Sequence, residues 1–548
     1  MKKILAFILS AIMLFSVVAC SSAYDDYEKY IELGDLKKIT VEEAKILKKV
    51  ADQILELRES GRKDLWVELD AKTAVAQKGD KLDIDYDVKS YSDPDNADLK
   101  LSDDTLKNMK AEAYSLILGS NSFIGEYTVK DDEDNVRNNK GFEDQLIGAK
   151  VNTNETDDKT KDDTVEVTVT FPDVYKDATL QKVIVTFKVT VNSISRSIAD
   201  ISNEELIASL AYTFTDPDAK EDADDDNAAT PDEADEEANE EAEDSKEESE
   251  DKDDDTVKFT DLFKNGTLKI DFSDKDELGK FNTLFDVKTV FEALNEKVLY
   301  EEIVLVFTVP TEEELKADEG DKDGNDKFVP YAGREITVTF TLNGITTLPE
   351  WNDEYVKTST SGQFEKVKDY EEDAYDTNAK SIVISAIIDA AVLKDVPWKE
   401  AKSAYKIALK NSVISALNQS VNPSYGSVSS TSASVAIGDF TQKEFDKYIT
   451  DDVYAALREQ AAKDAVTSIK SRLVYELLFD ELDIEISGKE YKAKLKEEFN
   501  ANKVYYESYL GITKPSKLEK YFGKESLMID FKHEILLDKV VDLVTIKK

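Results

Sequence analysis

Thr164-Val165-Glu166-Val167-Thr168-Val169-Thr170-Phe171-Pro172 sets an apolar side chain at every second position and then stops at a proline. A period of two gives one apolar face, as in a half-buried antiparallel strand, and a proline, having no N–H for a ladder, ends the pairing. After a polar excursion through Tyr175 the pattern resumes from Val183 to Val191 and closes on Asn192-Ser193-Ile194. The same succession returns farther along. A continuous apolar run from Ile303 to Phe307 leads to Val309-Pro310, then a longer acidic excursion, alternation from Ile336 to Leu342, and Asn343-Gly344-Ile345. Two α+β units in tandem, spanning 65–215 and 256–347, are the simplest account.

Between them, residues 216–255 hold 23 acidic residues and three Lys, so these positions carry -20 of the net charge of -47. Such a stretch buries too little apolar surface to offset its chain entropy, and it is expected to be a disordered linker separating the two units. From Asp353 onward the period changes to that of helix. Ala462, Val466, Ile469, Leu473 and Leu477 recur at steps of four and three, and Ile529, Leu536, Val540 and Leu543 keep to one face. Asn422 to Gly438, rich in Ser, Ala and Gly, reads as a loop. A chain of 548 residues has room for three or four domains. The expected fold class is therefore multidomain α+β: two antiparallel-sheet units followed by an all-α domain over 348–548.

Composition narrows the chemistry. With 117 Asp and Glu against 70 Lys and Arg, the chain repels phosphate backbones, so nucleic acid is not an expected partner. One Cys and one His remove Cys/His nucleophilic catalysis, internal disulfides and most zinc or haem sites. Lys2 and Lys3 precede an apolar run from Ile4 to Val18, and Val17-Val18-Ala19-Cys20 resembles a bacterial lipobox. That implies a signal peptide over 1–19, a lipidated Cys20 opening an N-terminal helical segment (20–64), and a location on the extracytoplasmic face of the bacterial membrane.

Leu116-Ile117-Leu118-Gly119-Ser120-Asn121-Ser122-Phe123-Ile124, then Gly141-Phe142-Glu143-Asp144-Gln145-Leu146-Ile147-Gly148, then the Val165–Tyr175 stretch, resemble the FKBP-type prolyl-isomerase domain of trigger factor. Gly79-Asp80 leading into Lys81-Leu82-Asp83-Ile84-Asp85-Tyr86 looks like that family's first core strand. Leu348-Pro349-Glu350-Trp351-Asn352-Asp353-Glu354-Tyr355-Val356 and the helices after it look like its substrate-cradling C-terminal domain. There is no counterpart of the ribosome-binding domain, so no ribosome is expected as partner. The resemblance implies two tandem FKBP-like units and a protein-folding role, with unfolded or newly exported polypeptides as partners and no cofactor or metal.

Isomerisation of an X-Pro bond fits the residue inventory. Its barrier of ~18–20 kcal/mol comes from lost amide resonance, and an apolar cradle that favours the twisted amide lowers it without nucleophile or metal. By resemblance the cradle comprises Tyr86, Phe123, Ile124, Phe142, Tyr175, Leu180 and Phe187, with Phe142 as floor and Tyr175 as hydroxyl donor; the same aromatics also suit a plain core. The chain departs from the family at three places. Gly125 to Lys140 intervene before Gly141-Phe142-Glu143, Ser90 to Asp95 replace an expected turn with its aromatic and acid pair, and the second copy carries Val290-Phe291-Glu292 and Val338 where the first has Gly141-Phe142-Glu143 and Phe187. Two readings stay open: a folding factor that isomerises prolyl bonds, or a non-catalytic holdase or surface adaptor. The acidic loop Asp318–Asp326 misses the spacing of a calcium loop and reads as solvated, and His533 reads as a surface or helix-packing residue.

Overall fold

The computed structural model describes residues 27–94, 96–123, 127–130, 136–153, 164–172, 174–218, 258–274, 278–317, 326–421 and 450–548. The expected signal peptide, Cys20, Ile124, the loop at Asn422–Gly438 and nearly all of the acidic stretches 216–255 and 318–326 lie outside the described residues. Two compact units divide the chain: Glu59–Pro349, and a second made of the residues up to Arg58 with Glu350–Lys548. The architecture is a mixture of helix and sheet.

The Glu59–Pro349 unit holds two five-stranded antiparallel sheets. The strands of these two sheets in chain order are β1 (Lys63–Asp64), β2 (Val67–Glu68), β3 (Lys81–Ser92), β4 (Ala111–Ile117), β5 (Val165–Thr170), β6 (Ile184–Arg196), β7 (Leu206–Thr215), β8 (Gly266–Asp271), β9 (Glu302–Thr308) and β10 (Glu335–Thr347). The first sheet runs β4-β3-β6, with β5 and β2 sharing the far side of β6; the second runs β8-β7-β10, with β9 and β1 sharing the far side of β10. The two arrangements share strand order and much of their register. Register shifts fall at Asn192 on β6 and at Asn343 on β10. Lys182 and Gly333, just before β6 and β10, both have positive φ (62° and 72°) and donate to the carbonyls of Phe171 and Val309. Each sheet encloses its own core, one running from Ala74 to Ile194 and the other from Ala199 to Ile345.

This changes the expected boundary. β7 precedes the acidic stretch in sequence yet pairs with β10 and β8, so residues 216–255 fall between two strands of the second sheet and do not separate the sheets. The pattern of Leu206-Ile207-Ala208-Ser209-Leu210-Ala211 hides a strand because its alternation is carried by small residues. A second correction concerns the copied motif. Gly148 N–H donates to Ala76 and Ala76 N–H to Ala149, just as Glu296 N–H donates to Ala199 and Ala199 N–H to Lys297. Counting back from Gly148 and Glu296, Phe142 corresponds to Val290 and Glu143 to Phe291, one residue off the alignment read from sequence.

The second unit is mainly helical, with helices at Glu43–Ser60, Val367–Ala390, Trp398–Val421, Asp451–Glu481, Gly488–Ala501 and Lys524–Val540 among others. It is not all-α as expected, since Ile31–Glu32 pairs with Val392–Leu393, and Thr40–Glu42 runs parallel to Thr545–Lys547. Side chains start its helices: Thr450 accepts from Val453 N–H, and Ser487 with Glu490 forms a capping box. In Asp451–Glu481 the buried face is Ala461, Ala465, Ile469, Leu473, Val474 and Leu478. Ala462 and Val466, expected inward, are exposed. Leu536 and Val540 are buried, with Ile529 and Leu543 half-buried beside them. Among the described residues no helix is long and apolar enough to cross a membrane.

Candidate functional site

Four of the seven expected cradle residues converge in the first sheet. β3 presents Tyr86 and β6 presents Phe187, and antiparallel pairing with a bulge between Thr186 and Phe187 brings both rings to one face. Tyr86 is the hub, with ring centroids 5.5 Å from Phe123, 6.0 Å from Phe142 and 5.9 Å from Phe187, all edge-on. Such contacts suit the quadrupole of aromatic rings. Burial raises the Tyr86 pKa, and nearby Tyr114 adds to the shift. Leu180 is buried in the same core, and Tyr175 packs at its margin on Phe171, 4.8 Å between centroids. The Tyr175 hydroxyl makes no hydrogen bond among the described residues, which leaves it able to donate. Ile124 is not among the described residues.

Phe142 is the expected floor, and it is 0% exposed. Its cover is Phe123, stacked at 4.2 Å with the planes 27° apart. One face of the Phe142 ring is thus taken by the chain's own Phe123. The cause of this closure is the neighbouring Glu143, whose carboxylate accepts from the backbone N–H groups of Gly119 (2.8 Å), Asn121 (3.1 Å) and Phe123 (3.1 Å) and from the Ser122 hydroxyl (3.2 Å). Glu143 is 4% exposed, and its buried carboxylate oxygens are met by these donors. One carboxylate thus folds the 119–123 loop and seats Phe123 on the floor.

Sequence reasoning missed Glu143 and Tyr114. The signal for Glu143 was an acid directly after the floor aromatic; Tyr114, edge-on to both Tyr86 (5.7 Å) and Phe123 (6.0 Å), stands on a strand whose alternation is weak. The second sheet keeps a hub tyrosine, since Tyr212 corresponds to Tyr86 through the pairing of β7 with β10. It lacks the floor aromatic and the carboxylate, Val290 and Phe291 standing in their places. Its rings are instead Tyr212, Phe214, Phe281 and Phe340, with Tyr212 and Phe281 5.3 Å apart. A cleft of about 430 Å³ opens near its edge, lined by Leu284, Thr308, Val309, Pro310, Thr311 and Leu315 among others. No group of three or more potential metal ligands occurs among the described residues.

No protein-family profile matches the chain. Trigger factor of Enterococcus faecalis is 32% identical over 176 residues, which is 32% of this chain and 32% of that protein. Trigger factor of Lactiplantibacillus plantarum is 31% identical over 177 residues (32% and 31%), and that of Lactococcus lactis 30% over 175 residues (32% of each). A solved structure described as "Promiscuous Substrate Recognition in Folding and Assembly Activities of the Trigger Factor Chaperone" aligns with 69% of this chain and 78% of its own at 13% identity and a TM-score of 0.19, a likeness too weak to bear on the fold. The chain is therefore similar to trigger factors over about a third of its own length and spans about a third of the length of these relatives.

Proposed function

We propose that this chain is a protein-folding factor that binds non-native, newly exported polypeptides, held on the extracytoplasmic face of the membrane through a lipidated Cys20. The observation that carries the folding role is the 32% identity to a trigger factor over 176 residues. In this reading the two sheets are FKBP-like units and the helical unit is the main holding surface, whose exposed apolar side chains include Val504, Tyr505 and Tyr509. The test is suppression of aggregation of a denatured client by the full chain. Suppression is expected at near-stoichiometric ratios, and no effect at tenfold excess would refute the folding role. For the anchor, Cys20→Ala should release the protein from membrane fractions.

A second reading, prolyl isomerisation by the first sheet, is favoured by the convergence of Tyr86, Phe142 and Phe187. Phe123 stacked on the floor at 4.2 Å weighs against catalysis in this arrangement. In a protease-coupled assay on a prolyl peptide, Phe123→Ala is expected to raise activity above that of the parent, and Phe142→Ala to reduce it to the uncatalysed rate. Equal rates for the parent, both variants and buffer would exclude the enzyme and leave the holdase.

A further inference from the structure

The shared register makes the edges of the two sheets comparable. β5 and β9 are corresponding edge strands, with Thr168 opposite Thr186 on β6 and Val306 opposite Thr337 on β10. On β5 the outward backbone of Thr168 is occupied by one side chain. Gln145 Nε2 donates to the Thr168 carbonyl at 2.8 Å, and Gln145 Oε1 accepts from its N–H at 3.0 Å, so a carboxamide stands in for a neighbouring strand. The outward side chains of β5 are polar: Glu166, Thr168 and Thr170. A covered backbone and a polar outer face both keep an edge from pairing with other chains.

β9 has neither device. Its outward positions include Val304 and Val306, 60% and 57% exposed, while Ile303, Leu305 and Phe307 turn toward the core. Counting from Gly148 and Glu296, the place of Gln145 is taken by Ala293, whose methyl group neither donates nor accepts. Among the described residues β9 pairs only with β10. Where β9 ends at Thr308, the cleft of about 430 Å³ begins, mixing threonine hydroxyls with Leu284, Val309 and Leu315.

We propose that β9 is a polypeptide-binding edge, to which an extended segment of a non-native chain adds as a further strand, beside Val304 and Val306 and ending at the cleft. Strand addition draws affinity from main-chain hydrogen bonds and selectivity from alternate side chains. Charge selects the occupant. Exposed Glu302 opens the strand, Glu314 lines the cleft at its other end together with Lys280, and the chain carries -47 in all, which favours an apolar segment with Lys or Arg flanks and disfavours a second copy of this chain. The inference rests on the folding-factor reading and gives it a location and a client chemistry.

The experiment is a fluorescence-anisotropy titration of the full chain against labelled Lys-Lys-Val-Thr-Val-Thr-Val-Thr-Lys-Lys. Saturable binding is expected. It should weaken at least tenfold in Ala293→Gln, which restores the cap of the first sheet, in Val306→Lys, and with a peptide N-methylated at alternate residues, while circular dichroism and the unfolding midpoint stay those of the parent. Affinities unchanged by Ala293→Gln, Val306→Lys and N-methylation would overturn the proposal. So would client protection that persists undiminished in Val306→Lys, an outcome that leaves the folding role itself standing. Dimerisation of the parent that Val306→Lys abolishes would overturn it too, by giving the edge to a second copy.

Discussion

Glu143 does for the 119–123 loop what no sequence period encodes: a single buried carboxylate gathers three backbone N–H groups and thereby decides where Phe123 sits. Replacing it by Gln removes the charge from those bonds and is expected to cost about 2 kcal/mol in urea unfolding. The same change should loosen Phe123, so it should also raise any prolyl isomerase activity. At the other end of the chain two groups oppose each other in pH. Burial, with Glu498 nearby, pushes the Asp530 carboxyl up to about 6, and burial holds the His533 imidazole down to about 4. His533 packs on Tyr475 at 4.3 Å, with its buried Nδ1 unpartnered among the described residues. Of the two roles its position allowed, surface or helix packing, the contacts with Tyr475 and Phe479 are those of packing. An acid with a raised folded pKa keeps its proton longer in the fold, so the contribution of Asp530 is present at low pH and is lost as pH rises from about 4 through about 6. For His533 the unfolded chain takes the proton first, and stability is lost as pH falls from about 6.5 to about 4. Relative to the parent, Asp530→Asn should make stability climb more steeply with pH across that window, and His533→Phe should make it climb less. Urea unfolding at pH 4.5, 5.5 and 6.5 reads both slopes.

Among the elements, the join between the two sheets is the most constrained by backbone alone. Gly79 has φ +88°, and a Cβ built there would lie 2.2 Å from the carbonyl oxygen of Leu299, in the loop before β9. Gly148 has nearly the same φ, +91°, but open space within 4 Å. Gly148→Ala is therefore expected to cost about 1–2 kcal/mol, for the left-handed backbone alone. Gly79→Ala should cost at least about 2 kcal/mol more, because the atom it meets is backbone and cannot swing aside as a flexible side chain would. Equal losses for the two variants in urea unfolding would show that the close approach does not matter. Much at this scale was legible beforehand. Val165–Thr170 is a strand as its alternation required, and Asn192 and Asn343, noticed as matching residues, mark the same bulge in both sheets. The inward face of Asp451–Glu481 was displaced because Ala461 and Ala465 pack inward while the larger Val466 faces out. Hydrophobicity alone cannot rank such alanines. The Gln145 cap was invisible, since its partner Thr168 lies 23 residues away.

For the molecule as a whole, the acidic stretch lies in the connection between β7 and β8, residues 216–265, where the corresponding connection of the first sheet, 93–110, is much shorter. Closing a long loop costs entropy that grows with the logarithm of its length. Excising residues 220–250 should stabilise the second sheet by about 1 kcal/mol and should reduce the salt dependence of its unfolding, both measurable by urea titration at low and high ionic strength. Sequence by itself determined that the chain contains repeated antiparallel strands and a mainly helical remainder, because period-two and helical patterning are local properties of side-chain order. It also determined the exclusions of chemistry, since one Cys and one His cannot be rearranged into more. Only tertiary structure decided that β7 joins the strands beyond the acidic stretch, that Phe142 corresponds to Val290, and that Phe123 covers the floor of the aromatic cluster. Each depends on a backbone hydrogen bond or ring contact between residues distant in sequence, and strand register and ring stacking are settled by which partners come within a few ångströms, not by the order in which residues appear.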